Sequence, residues 1–227
     1  QRIYDISLQA MDSGRRGTAP FGGVTVPKAP QYRNALCCGQ LIPLGAADWG
    51  CLDALSIMEH ACGHGNIVCM PTGGSSGVIP AAILHVAEHL NLPEEARLNA
   101  LLTAGLIGVF FYPTHYTGAL GCQAEIGVAV SMAAAALASL LTEDAATIEA
   151  AASFGTQSLL GMVCNPVEGY VQVPCFLRNM TAVPTAITCA NAALAGMDSL
   201  VPLDDAVELM LRTGTLLRPC NRAATWR

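Results

Sequence analysis

Three cysteines carry the strongest chemical signal in the chain. Cys122 follows Gly121, Cys164 precedes Asn165-Pro166, and Cys175 follows Pro174. Each stands at a break flanked by glycine or proline, where a sulfur can point away from a helix and backbone N–H groups are released from helical bonding. Thiolates with N–H donors around them are what iron–sulfur clusters require. Small buried hydrophobes look the same locally, and the residues alone leave both readings open.

A second group suits an anion. Pro71-Thr72-Gly73-Gly74-Ser75-Ser76-Gly77 is a loop that leads into a helix. Its glycine backbone, the helix N-terminus and the hydroxyls of Thr72, Ser75 and Ser76 fit a carboxylate; an ordinary capping loop would read alike. No Gly-Lys-Ser/Thr follows, which excludes a Walker A loop. The guanidinium fork of Arg178 matches a carboxylate or an internal salt bridge. Histidines form two further patterns. His85-Val86-Ala87-Glu88-His89 has the inverzincin spelling with both rings on one helix face, but the distant acidic ligand such a zinc site needs is not identifiable. His60-Ala61-Cys62-Gly63-His64 suits either zinc or a pocket wall. His115 stands seven residues before Cys122. His60, His64 and His115 are the candidate bases, and the sequence does not choose among them.

Taken together, several segments resemble the iron–sulfur L-serine dehydratase α-chain family. Gly121-Cys122-Gln123-Ala124-Glu125-Ile126-Gly127, followed by Ser131-Met132-Ala133-Ala134-Ala135, is similar to its centre. Cys164-Asn165-Pro166-Val167-Glu168-Gly169 resembles its Cys-Asp-Pro-Val-Ala/Gly-Gly run, and Val173-Pro174-Cys175 with Arg178-Asn179 a third motif. The residues 71–80 resemble its Pro-Thr-x-Gly-x-x-Gly-Ile-x-Pro loop, and the cysteine intervals of 42 and 11 residues suit its ligand pattern. The resemblance implies a [4Fe–4S] cluster on Cys122, Cys164 and Cys175, with one iron left open as a Lewis acid. It implies a small β-hydroxy amino acid as substrate, L-serine foremost, bound by Thr72, Gly73, Gly74, Ser75, Ser76, Arg178 and Asn179. The products would be a keto acid and ammonia. No pyridoxal-phosphate lysine is needed, and the chain's one lysine is Lys28. A β-type subunit or a homo-oligomer is the implied partner, which also leaves a non-catalytic, cluster-bearing subunit open. Ala61 and Gly63 replace the family's Asn and Ser, and Leu120 falls where an acid is usual, so L-cysteine, L-threonine and hydroxy acids stay open as substrates.

Composition narrows the class. Charged residues make up 12% of 227, against roughly 25% in globular proteins. So little charge cannot cover a large free surface, and burial against another subunit is expected. A net charge of −6 without a basic run excludes nucleic acid. Ten cysteines without a visible signal peptide read as reduced thiols of a cytoplasmic protein. Residues 126–142 lack charge over 17 positions, but their Ala, Val and Ser content suits a buried core helix rather than a membrane span.

These residues need a scaffold, and apolar spacing predicts one that is all-α. Helices are expected over residues 1–12, 46–62, 78–90, 91–112, 122–141, 144–160, 176–194 and 203–217, with an irregular segment at 14–45 rich in Gly and Pro. Thr142 is the expected cap of the 144–160 helix, and a bend is expected at Pro184. No repeat or linker interrupts the chain, so residues 1–227 read as a single compact helical domain around a buried Ala-rich central helix.

Overall fold

Small side chains dictate the centre of the molecule. Helix α6 (Ile126–Ser139) has every residue from Ile126 to Ala138 buried, and its alanines let neighbouring helices approach closely. A Cβ added at Gly155 of α7 (Ala145–Ser158) would fall 2.6 Å from the Ser131 Cα. The two backbones are in contact there, and the Ser131 hydroxyl donates to the Ala152 carbonyl at 2.7 Å. The stretch Cys122–Ser139 is long and apolar enough to cross a membrane, yet 89% of it is buried inside the protein.

The computed structural model describes residues 1–19, 22–112 and 118–223. Among these, nine α-helices and short 3-10 turns form the fold, and the only β pairing is an isolated bridge between Val167 and Tyr170. The remaining helices are α1 (Arg2–Arg16), α2 (Ala29–Cys37), α3 (Ala47–Cys62), α4 (Val78–His89), α5 (Glu94–Phe110), α8 (Gln172–Leu194) and α9 (Leu203–Ala223). Helices α4, α5, α7 and α8 pack around α6, and α3 lies between α1 and α8.

The expected irregular segment is corrected in part: α1 continues to Arg16, and α2 makes a further nine residues helical. Pro30 sits in the first turn of α2, where its missing N–H costs nothing. The cap comes from elsewhere in the sequence. The buried Glu59 carboxylate of α3 accepts from Lys28 N at 2.6 Å and Ala29 N at 3.0 Å. Helix α7 is capped by Asp144, which accepts from Thr147 N at 2.9 Å. Thr142 acts one step earlier, accepting from Asp144 N at 3.1 Å. Helix α8 runs through Pro184; its break is at Val173, next to Pro174.

A further correction concerns Cys122. Residues 122–124 form a 3-10 turn, and the α-helix begins only at Ile126. Gly121 adopts φ +84, and a Cβ there would meet the Met162 carbonyl at 2.5 Å. Buried Gln123 then ties the turn down, donating to Leu120 O at 2.8 Å and Met210 O at 3.0 Å while accepting from Gly161 N at 2.9 Å. The break holds Cys122 outside the helix, facing the ends of α3 and α8.

Candidate metal centre

Where these breaks meet there is a cavity of about 380 Å³, lined by Cys122, Cys164 and Cys175. Gly73 and Gly74 form one wall, the end of α3 supplies Met58, Ala61 and Cys62, and Glu125 projects from the start of α6. The three predicted cysteines and the glycine turn, far apart in sequence, thus share one space.

Arg178 organises the sulfur side. Its Nη1 donates to Cys122 Sγ at 2.9 Å and to the Val163 carbonyl at 3.0 Å, and its Nη2 donates to Asn165 Oδ1 at 2.6 Å. One turn beyond Cys175 on α8, it therefore clamps the Cys122 and Cys164 segments together. The hydrogen bond from Cys122 pulls Cys164 down to about 7, whereas that same bond and burial push Cys122 up. Cys175 is pushed up to about 11 by burial and then by the Glu125 charge. The site holds one readily formed thiolate beside a fixed cation.

Asn179 joins the two halves of the site. Its side-chain amide donates to Gly74 O at 2.7 Å and Cys175 O at 2.8 Å, and its carbonyl accepts from Gly77 N at 3.1 Å. Thr72 and Ser75 form a capping box around the 3-10 turn Gly73–Ser75. The Ser75 hydroxyl donates to Met70 O at 3.2 Å; that of Ser76 donates to Gly73 O at 3.0 Å. Both serines are buried and bonded within the loop, so the cavity meets the backbone of Gly73 and Gly74 instead. Thr72 also hydrogen-bonds the Glu125 carboxyl, which burial pushes above the usual carboxylate range.

Neither His60 nor His64 lines this cavity. The His60 ring lies against Gly65, where an added Cβ would come within 2.2 Å of Nε2, and burial lowers its pKa. His64 is exposed with φ 63. His115 lies outside the described residues. The sequence singles out neither Glu125, three residues after Cys122 in the same motif, nor Cys62, which it offers only within the His60–His64 pattern.

The His85 pattern has a structural account. His85 Nε2 meets Asp53 Oδ2 at 2.6 Å and its Nδ1 meets Glu88 at 3.2 Å, while Arg15 pairs with the same buried Asp53 and stacks over Trp49. His89 is exposed. This network joins α1, α3 and α4. Asp53→Ala is expected to cost about 3 kcal/mol or more by stranding Arg15 and His85. It would be read as a lower urea midpoint at unchanged slope; a loss under about 1 kcal/mol would show that the pairs add little.

Among the described residues no three His, Cys, Asp or Glu side chains converge on a single metal-ion position. A cluster makes a different demand, because it carries its own bulk and takes thiolates from several sides. The cavity of about 380 Å³ is far larger than the roughly 10–15 Å³ that one water needs by the same measure. Three sulfurs on its wall and a guanidinium to offset their charge fit such a group.

The family profile described as serine dehydratase alpha chain matches residues 2–224. L-serine dehydratase of Mycobacterium bovis is 39% identical over 181 residues, covering 76% of this chain and 39% of that protein. The L-serine dehydratase alpha chain of Peptoniphilus asaccharolyticus is 41% identical over 163 residues, covering 71% of this chain and 56% of its own length. The probable L-serine dehydratase alpha chain of Bacillus subtilis is 37% identical over 218 residues, covering 94% of this chain and 73% of the relative. The chain thus spans between about two fifths and three quarters of the length of these relatives.

Proposed function

The chain belongs to the serine dehydratase α-chain family, and from that premise we propose that it forms the cluster-bearing part of a lyase that removes water from L-serine. The observation that carries this reading is the convergence of Cys122, Cys164 and Cys175 with Gly73 and Gly74 on one cavity. The three cysteines would hold a [4Fe–4S] cluster, Arg178 offsetting thiolate charge at Cys122. When bound, the cluster supplies an iron without a protein ligand as a Lewis acid for the substrate's β-hydroxyl.

The chain's own residues do the rest. Peptide groups of Gly73 and Gly74 receive the substrate carboxylate at the turn leading to α4. Asn179 keeps that turn at a fixed distance from Cys175, so carboxylate and hydroxyl are held by linked parts of the site. Glu125, on the same wall, takes the α-proton at a carboxylate oxygen. Loss of the β-hydroxyl then gives an enamine, which tautomerises to an imine and hydrolyses to pyruvate and ammonia.

Relatives named as α chains point to a β-type partner chain in the working enzyme. The test is anaerobic purification followed by metal analysis and by keto-acid assay with and without that partner. About four irons per chain are expected, with pyruvate and ammonia formed from L-serine once the partner is added. Screening L-threonine and L-cysteine, with sulfide as the readout for the latter, fixes the substrate. Stoichiometric zinc in place of iron, or undiminished turnover by metal-free protein, would refute the reading.

A further inference from the structure

Helix α5 has no polar face. Residues 98–112 carry no charge. Its inner face buries Ala100, Ala104, Ile107 and Gly108, packed against α6 and α4. Its outer face carries Leu102, Leu106, Val109 and Phe110, which are 72%, 64%, 67% and 46% exposed. These recur at i, i+4, i+7 and i+8, the spacing of a stripe that packs against another element, and a helix apolar all round belongs in an interior. Gly105 stands in the middle of the same row. A Cβ added there meets nothing within 4 Å, so no contact among the described residues calls for glycine. Glycine inside a helix is also less stable than alanine. What its bare backbone offers is room for a second backbone arriving from outside.

We propose that this row is a two-fold interface, at which α5 crosses the α5 of a second copy of the chain in antiparallel sense, with the axis between Gly105 and Leu106. The row is self-complementary about that point, as an isologous contact requires. Leu106 of each copy covers Gly105 of the other, and each Leu102 meets the other copy's Val109. Charge selects the same arrangement. The charged residues of α5, Glu94, Glu95 and Arg97, all lie at its N-terminal end. An antiparallel crossing sets the two acidic ends about 30 Å apart, far beyond the ~8 Å screening length; a parallel pair would place like charges side by side. Area sets the strength. The 17 residues of α5 make a helix about 25 Å long and about 10 Å across, so its outward half offers on the order of 400 Å². A groove of about 410 Å³ borders the row and extends the contact, with Leu106 and Phe110 on its α5 side and Glu143 and Asp204 on the far side. The contact falls in the small interface class, below about 1,200 Å² in total, so a micromolar Kd is expected. No residue of α5 lines the metal-centre cavity, so this pairing leaves that site free for a β-type chain.

The test is sedimentation equilibrium of the anaerobically purified full chain from about 1 to about 100 μM, which brackets the affinity expected of so small an interface. Wild type should pass from monomer to dimer across that range. Leu106→Glu places a charge beside the axis and should stay monomeric throughout. Gly105→Ala is the sharper variant. Alanine is the better helix former, so Tm at the lowest concentration should not fall, yet its Cβ holds the crossing helices apart and association should weaken about tenfold or more. Leu216→Glu, at a 77% exposed position on α9, is the control and should associate like wild type. Far-UV circular dichroism checks that helix content is unchanged, and Gly105→Ala decides alone if Leu106→Glu does not fold. Wild type that stays monomeric at the highest concentration, or Gly105→Ala that associates as tightly as wild type, would overturn the proposal. Repeating the runs with the β-type chain tests the other occupant. A wild type monomeric alone, whose binding to that chain weakens in Gly105→Ala, would assign the row to the β-type chain and refute the second copy.

Discussion

Cys164→Ser is expected to leave the anaerobically purified protein with a small fraction of its iron and to lower pyruvate formation from L-serine by at least about 100-fold. Cys164 is the sulfur that reaches the thiolate form most easily, at about 7, because Cys122 hydrogen-bonds to it. Serine has nearly the same shape but no accessible anion near neutral pH, so the change removes a ligand while sparing the packing. It also leaves Cys122 and Arg178 facing a weaker partner on the segment that Arg178 clamps. Cys122→Ser and Cys175→Ser should act alike. The control is Cys51, buried on α3, where its thiol donates to Met180 O at 3.4 Å, and pushed up to about 11 by burial. Cys51→Ser should keep its iron. Retention of four irons by Cys164→Ser, or equal loss in Cys51→Ser, would show that the cavity cysteines are not the anchor.

What the sequence disclosed follows from how local each signal was. Helices α3, α4, α5 and α7 were legible within a few residues because apolar spacing and their Pro or Gly boundaries lie in the same short window. Helix α2 was hidden because its capping carboxylate is Glu59, about thirty residues away and on another helix. The start of α6 was misjudged because nothing in its apolar run reveals that Gln123 reaches α9 and holds a 3-10 turn. In the site, glycine and proline beside each cysteine were visible, so the three sulfurs could be named. The partners of Arg178 were not: a guanidinium in sequence looks the same whether it meets a carboxylate or a sulfur. By type the hydroxyls of Ser75 and Ser76 suit a substrate carboxylate, yet a tight turn uses both locally. Histidines stand out by type, whereas Glu125 carries no such signal in the sequence, and its place on the cavity wall is what marks it.

Glu125→Gln is the change that separates proton transfer from cluster binding. Glutamine keeps the volume and can still accept from the Thr72 hydroxyl, so the glycine turn and the cysteines should remain in place and iron content should not change. What is lost is a carboxylate able to take a proton. A positioned acid–base group contributes typically 10²–10⁴-fold, so kcat should fall by roughly that factor with little change in KM. Burial raises the pKa of Glu125, and only its deprotonated form can accept the α-proton. Activity of the unaltered enzyme should therefore rise with pH through that raised value, and Glu125→Gln should flatten this acid limb. Slowing the proton-transfer step should also enlarge the isotope effect with α-deuterated L-serine. His60→Gln is the counter-experiment, since its ring lies against Gly65 rather than along the cavity, and it should leave kcat and the pH profile nearly unchanged. If Glu125→Gln turned over L-serine at the normal rate while His60→Gln did not, the base would have to be reassigned to His60 and the cavity wall at Glu125 would be structural.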